Sequence, residues 1–167
     1  ERKSRLVADG SHQTYGVDYD ETFSPASQLV SVRIILTLAV CTGLKVYHAD
    51  VAGAFLNAKL NATVFVKLPE QLPESIKEKL PSMYAKLEKG QYGLKQAGRE
   101  WNDCQNELIM GVPGMKKSTV DPCWYYLQSR EVVVHILVHV DDYIIATNSK
   151  AWKDWFVNEY YASHYEI

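Results

Sequence analysis

Three aspartates stand out by their placement. Asp50 closes the alternating run 44–51, and Asp141-Asp142 interrupt an otherwise apolar stretch over 132–146. Aspartate is depleted from strands, so an adjacent pair in such a stretch needs a reason. One reason is a turn, where the carboxylate bonds the local backbone and charge at a hairpin tip discourages edge pairing. The other is a ligand. Two carboxylates a few ångströms apart repel, and a hard divalent cation with oxygen ligands is the usual remedy. Asp50 adds weight to the second, because it ends another strand and precedes Val51-Ala52-Gly53-Ala54-Phe55-Leu56, where small side chains leave room. If the two strands lie side by side, Asp50 and Asp141 converge on a site for two magnesium ions about 4 Å apart, suited to in-line phosphoryl displacement.

The elements that must position these residues follow from periodicity. Over 27–42 the apolar positions Leu29, Val32, Leu36 and Ala39/Val40 recur at helical spacing, with Pro25 just before and Gly43 at the C-cap position. The run 44–51 alternates, with Val46, His48 and Asp50 on one face and Tyr47, Ala49 and Val51 on the other. A short strand is expected around Leu6-Val7, another at Val64-Phe65-Val66, and a surface loop over the proline-rich, acidic stretch 69–81. Trp101, Cys104 and Leu108 mark a helix over 97–110 that Gly111-Val112-Pro113-Gly114 stops. Strands over 123–127, 132–140 and 143–146 complete a hairpin with Asp141-Asp142 at its tip. Without a regular βαβ rhythm, repeats or low complexity, a mixed α+β domain follows. His135 and His139 share one strand face but lack a third ligand at metal-binding spacing, which favours a structural or supporting role.

Composition narrows the classes. The 167 residues carry 18 Lys+Arg against 20 Asp+Glu and are 47% apolar, and a chain of this size buries roughly 70% of its unfolded surface without needing disulfides. Cys41, Cys104 and Cys123 are widely separated and form no CxxC pair, which fits a reducing compartment and no zinc site. The apolar runs fall short of the ~20 residues needed to cross a bilayer, so no membrane partner is expected. Near-neutral charge argues against bulk nucleic-acid binding while leaving a local basic surface open. The chain begins at Glu1 with no apolar leader, and reads as a segment of a longer product.

Six blocks then resemble, in order, the Ty1/copia-type retrotransposon reverse transcriptase. They are Lys3-Ser4-Arg5-Leu6-Val7-Ala8, Tyr19-Asp20-Glu21-Thr22-Phe23-Ser24-Pro25, Asp50-Val51-Ala52-Gly53-Ala54-Phe55-Leu56-Asn57, Tyr92-Gly93-Leu94-Lys95-Gln96-Ala97-Gly98-Arg99-Glu100-Trp101, Asp121-Pro122-Cys123 and Val140-Asp141-Asp142. Together they span nearly the whole chain. The resemblance implies the fingers and palm of a right-hand polymerase, with an antiparallel palm sheet backed by helices, across 1–167. It implies templated addition of deoxynucleotides to a primer 3′-OH on RNA or DNA. It also implies that Asp50 and Asp141 ligate two Mg2+ ions, that Asp142 supports them and that the Val51 carbonyl helps hold one, with Mn2+ as a substitute. No protein nucleophile is then needed.

By the same resemblance Phe55 is the steric gate under the sugar, next to Ala54 in the nucleotide site, though a core aromatic after a strand fits it equally. Tyr92, Gly93, Lys95 and Gln96 line nucleotide and template, while Lys95 alone could be a solvated surface lysine. Lys3 and Arg5 meet the triphosphate, where charge-assisted bonds are strong. The implied partners are primer-template, deoxynucleoside triphosphates and the rest of a Pol polyprotein: thumb, ribonuclease H, integrase and protease. A cytoplasmic virus-like particle is the implied setting.

Three positions depart from the family pattern: His139 where tyrosine is usual, Asp9 where a basic residue is common, and Gly98 where proline is common. The chain also stops at Ile167, before a thumb, which weakens the expected phosphate grip on primer-template. An inactive relic that keeps the fold is therefore a rival, as is a small interaction domain whose aspartates are only turn residues.

Overall fold

The computed structural model describes residues 5–165. Along the chain run α1 (Leu29–Thr42), β1 (Lys45–Asp50), β2 (Phe65–Lys67), the short α2 (Glu74–Lys77), β3 (Tyr84–Lys86) and α3 (Ala97–Met110). Then come β4 (Lys116–Lys117), β5 (Trp124–Gln128), β6 (Val133–His139), β7 (Asp142–Thr147) and α4 (Lys150–Trp155), which continues into a wide π turn over Phe156–Tyr161. The α+β class expected from the sequence holds. Two compact units emerge, one comprising the chain up to Phe23 with Phe55–Trp101, the other Ser24–Ala54 with Asn102 onward.

The second unit is built on a five-stranded antiparallel sheet in the order β1-β7-β6-β5-β4. Its two central strands, Val-Val-His-Ile-Leu-Val-His and Asp-Tyr-Ile-Ile-Ala-Thr, are rich in β-branched residues that pack on a pleated surface. On one face Leu137 and Ala146 meet Ile35 and Ala39 of α1, with Cys123 completing the cluster. Ile35 and Leu137 each contribute about 1.5–3 kcal/mol by leaving water, and the alanines about 1 kcal/mol or less. The opposite face carries Tyr143 and Ile145, which line a small cleft with Phe156 and Tyr161.

α1 begins at Leu29 and ends at Gly43, whose N–H closes onto the Ala39 carbonyl. Its buried stripe is Ser31, Ile35 and Ala39, while Leu29, Leu36 and Val40 of the expected stripe are exposed. α1 is apolar nearly all round, so spacing alone could not choose its inner face. Asp121 chooses it. This carboxylate, fully buried, accepts hydrogen bonds from Ser31 Oγ at 2.5 Å, Gln28 N–H at 3.1 Å and Cys123 N–H at 2.8 Å. Burial pushes its pKa up, but the bonds from Ser31, Cys123 and Gln28 outweigh that and hold it below the usual value.

The first unit holds the two-stranded sheet β2–β3 and a core of Val64, Leu94 and Ala97, flanked by Ala8, Phe55, Leu60 and Leu87. Leu6-Val7 forms no strand. Both residues are more than half exposed, and the segment is tied by a backbone bond from Ala8 N–H to the Tyr92 carbonyl and a side-chain bond from Gln91 Nε2 to the Leu6 carbonyl at 3.1 Å, which make no ladder. The loop expected over 69–81 contains the one-turn helix α2, spanned by the Lys77–Glu74 ion pair at 2.8 Å. Among the described residues no helix is long and apolar enough to cross a membrane.

Candidate active site

Asp50 is the last residue of β1 and stands directly opposite Asp142, the first residue of β7. One bond further, Val51 N–H donates to the Asp141 carbonyl at 3.1 Å, so the ladder extends to the hairpin tip. The strands lie side by side, as the convergence argument requires. The tip itself is two residues long: His139 pairs with Asp142, leaving Val140 and Asp141 as the turn. Only Asp141 is thus a turn residue, whereas Asp142 belongs to the sheet. Val140 has φ 61°, a left-handed conformation that two-residue hairpin loops require and that a β-branched residue resists. Strain of this kind persists only where surrounding structure holds it, here the ladder on both sides.

Cross-strand partners point to one face, so His48, Asp50, His139 and Asp142 share a side of the sheet. His48 Nε2 lies 2.9 Å from Asp142 Oδ1. His139 Nδ1 lies 3.0 Å from Ser27 Oγ, and an open cavity of about 390 Å³ is lined by Ser27, His48, His139 and Asp142 over an apolar floor of Val32, Leu137 and Ile144. His135 lies on the same face but away from the tip. It takes a hydrogen bond from Trp124 Nε1 at 3.2 Å, and burial lowers its pKa, which keeps it a neutral structural residue.

As donors, three carboxylates suit a hard divalent ion in type, and the register sets two of them opposite one another with the third next in the chain. Their side chains are not gathered into one ligand set, however. No group of three His, Cys, Asp or Glu side chains among the described residues is arranged to hold a metal ion. One oxygen of Asp142 turns to His48 instead. Val51 and Ala54, which follow Asp50, are buried.

The first unit gathers several of the remaining candidates. The Phe55 and Tyr92 rings are 4.8 Å apart between centroids, and the Arg5 guanidinium sits 4.2 Å over the Tyr92 ring. Gly93, at φ 95°, lets the chain pass so close to the Ala8 carbonyl that a Cβ would lie 1.9 Å from its oxygen. Lys95 and Gln96 are engaged differently. Gln96 is buried, donates to the Asp18 carbonyl at 2.9 Å and accepts from Gln13 Nε2 at 2.9 Å. Lys95 Nζ donates to the Gln13 carbonyl at 3.0 Å and lies over the Tyr19 ring. Both clamp the loop over residues 13–19. Lys3 lies outside the described residues.

A model of the family described as reverse transcriptase (RNA-dependent DNA polymerase) matches residues 1–167. The chain belongs to the reverse transcriptase family. It is 40% identical over 147 residues to the retrovirus-related Pol polyprotein from transposon RE1 of Arabidopsis thaliana, covering 87% of this chain and 10% of that protein. It is 37% identical over 149 residues to that from transposon TNT 1-94 of Nicotiana tabacum, covering 89% and 11%. The transposon Ty1-ER2 Gag-Pol polyprotein of Saccharomyces cerevisiae is 26% identical over 148 residues, 86% of this chain and 8% of that one. The chain thus spans about a tenth of the length of the curated relatives it matches, and is a copia-type reverse transcriptase segment. No solved structure matches it.

The motif blocks of this reverse transcriptase are held by contacts that their spacing does not reveal. The Asp121-Pro122-Cys123 block anchors the start of α1. In the block around Tyr19, Glu21 accepts from Thr22 N–H and Phe23 N–H, both at 3.0 Å, and Arg99 donates to the Phe23 carbonyl at 3.3 Å. Asp9, unusual for this reverse transcriptase pattern, caps the turn Gly10–His12 by accepting from Ser11 N–H at 3.0 Å. Gly98 is the second residue of α3, inside a first turn whose N–H groups need no helical partner, which is why proline also serves there. His48 carried one usable signal, its place two residues before Asp50 on an alternating strand.

Proposed function

We propose that residues 1–167 are the fingers and palm of an RNA-directed DNA polymerase that adds deoxynucleotides to a primer 3′-OH on an RNA or DNA template. The observation that carries this reading is the register that sets Asp50 opposite Asp142, with Asp141 tied by its carbonyl to Val51 N–H. In it the unit with the five-stranded sheet is the palm and the unit around β2–β3 the fingers. Asp50, Asp141 and Asp142, with the Val51 carbonyl, would hold two Mg2+ ions, or Mn2+ in their place. When bound, such ions lower the pKa of the primer hydroxyl and neutralise charge on the α-phosphate and the leaving pyrophosphate.

The chain's own residues then act by placement. β7, paired on both sides, keeps the Asp142 backbone fixed, and the strained Val140 turn presents Asp141 beyond the sheet. Phe55 and Tyr92 offer a wall for the deoxyribose, and Gly93 serves by letting the Ala8 backbone pass close behind Tyr92. Arg5 and Lys3 supply charge for the triphosphate. Lys95 and Gln96 serve by holding the loop over 13–19. The further domains of a Pol polyprotein, thumb, ribonuclease H and integrase, complete the grip on primer-template.

A second reading is an inactive relic with the same fold. It is favoured by His139 in the usual tyrosine position and by the Asp142 oxygen engaged with His48. Primer extension by a complete Pol chain carrying this segment separates the two. The polymerase reading requires Mg2+-dependent extension that Asp141→Asn abolishes. Silence from the unsubstituted chain, or extension that survives Asp141→Asn, contradicts it.

A further inference from the structure

The steric-gate assignment, which rests on the function just proposed, leaves open what keeps the Phe55 ring in place. Phe55 lies in the short turn Ala54–Asn57, not in a strand, so no sheet register fixes it. Its surroundings do. The backbone of Gly90 passes so near that a Cβ there would lie 2.5 Å from the Phe55 carbonyl oxygen, and Gly90 N–H donates to the Ala58 carbonyl at 2.8 Å. Two residues on, the Tyr92 ring meets the Phe55 ring at 4.8 Å, tilted by 52°. Tyr92 is itself held twice: its carbonyl accepts from Ala8 N–H at 2.8 Å, and the Arg5 guanidinium covers its ring at 4.2 Å. Phe55 and Tyr92 are only half-buried: Phe55 packs at the margin of the Val64, Leu94 and Ala97 core, and the two rings lean on one another where that core ends.

We infer that Tyr92 is a positioning residue for sugar selection, holding the Phe55 ring where it excludes a 2′-hydroxyl, with the Arg5 guanidinium over the Tyr92 ring steadying it. An aromatic pair adds directional preference beyond burial, and a guanidinium over the ring adds a cation–π attraction. A flexible aliphatic side chain at 92 supplies neither. The Phe55 ring then gains rotamer freedom and can swing aside for a ribose, while the deoxyribose, which needs no exclusion, is still accepted. Steric discrimination of this kind depends on a wall that does not yield, and a wall that moves forfeits it.

The test is steady-state primer extension by a complete Pol chain carrying this segment, with a deoxynucleoside triphosphate and the matching ribonucleoside triphosphate as separate substrates. The quantity read is the ratio of their kcat/KM values. Tyr92→Leu should lower that ratio by about tenfold or more, chiefly through better use of the ribonucleotide. Tyr92→Phe, which keeps the ring against Phe55 and beneath Arg5, should keep the ratio of the unsubstituted chain. Circular dichroism and thermal melting show whether Tyr92→Leu is folded, and Tyr92→Met, closer in length, replaces it if not. An active Tyr92→Leu or Tyr92→Met chain with an unchanged ratio overturns the inference while leaving the polymerase reading intact. An unsubstituted chain that extends no primer overturns the reading and the inference with it.

Discussion

His48 Nε2 sits 2.9 Å from Asp142 Oδ1, so the second aspartate of the hairpin is met by a histidine two residues before Asp50 on the neighbouring strand. Both side chains are more than half exposed, at 65% and 55%. Exposed pairs of this sort contribute little, because solvent screens them and two side chains lose freedom. His48→Leu should therefore shift the urea unfolding free energy by less than about 1 kcal/mol. A loss of several kcal/mol would show that the pair is structural and that Asp142 is tied up by the fold.

The Val140 turn predicts the opposite sign. A β-branched residue at φ 61° carries backbone strain that costs on the order of 1–3 kcal/mol. Glycine removes it at an entropic cost of about 0.5–1 kcal/mol. Val140→Gly should thus raise the thermal midpoint, with a gain in stability of up to about 2.5 kcal/mol. A destabilised Val140→Gly would mean that the valine side chain does more for the tip than its backbone costs.

Asp121 links stability to pH. Its carboxyl is held below its usual 3.8, because hydrogen bonds from Ser31, Cys123 and Gln28 outweigh burial. A lowered folded pKa stabilises at pH values above the unfolded pKa, and the contribution disappears as pH falls through the folded value. Stability should be level above about pH 5 and decline below it, with Asp121→Ala losing about 3 kcal/mol at neutral pH and showing a flatter acid limb. Urea midpoints at a series of pH values measure both. Equal acid limbs in the two chains would assign the decline to other groups.

The sequence revealed most where a local rule met a tertiary demand. The strand ending at Asp50 was legible from its alternation and those around the aspartate pair from their apolar runs, which fit strands covered on both faces, and their bounds came within a residue or two of β1, β6 and β7. α3 was legible from Trp101 and Leu108 and from the glycines and proline after Met110. α1 was legible as a helix but not in its orientation: Leu36 and Val40 read as core, yet Ser31 faces inward because Asp121, ninety residues away, is there to meet it. The C-terminal helix went unread although Ser149 caps it, accepting from Trp152 N–H at 3.2 Å, and Trp152 and Phe156 stack four residues apart. For the candidate site, the motif spacing indicated which residues to watch. It did not show that Asp142 sits in the sheet and Asp141 in the turn, since that is set by the two-residue loop, nor that Gln96 points into its own unit's interior. Those outcomes depend on partners distant in sequence.

A polymerase at this site requires Asp50, Asp141 and Asp142 to bind divalent ions together. Titrating Mn2+ into this chain and following free ion by electron paramagnetic resonance tests that without requiring catalysis. Saturable binding that falls at least about tenfold in both Asp50→Asn and Asp141→Asn, with Asp9→Asn unchanged as a control for surface carboxylates, is the predicted result. Binding that is absent, or that is indifferent to Asp50 and Asp141, would contradict it.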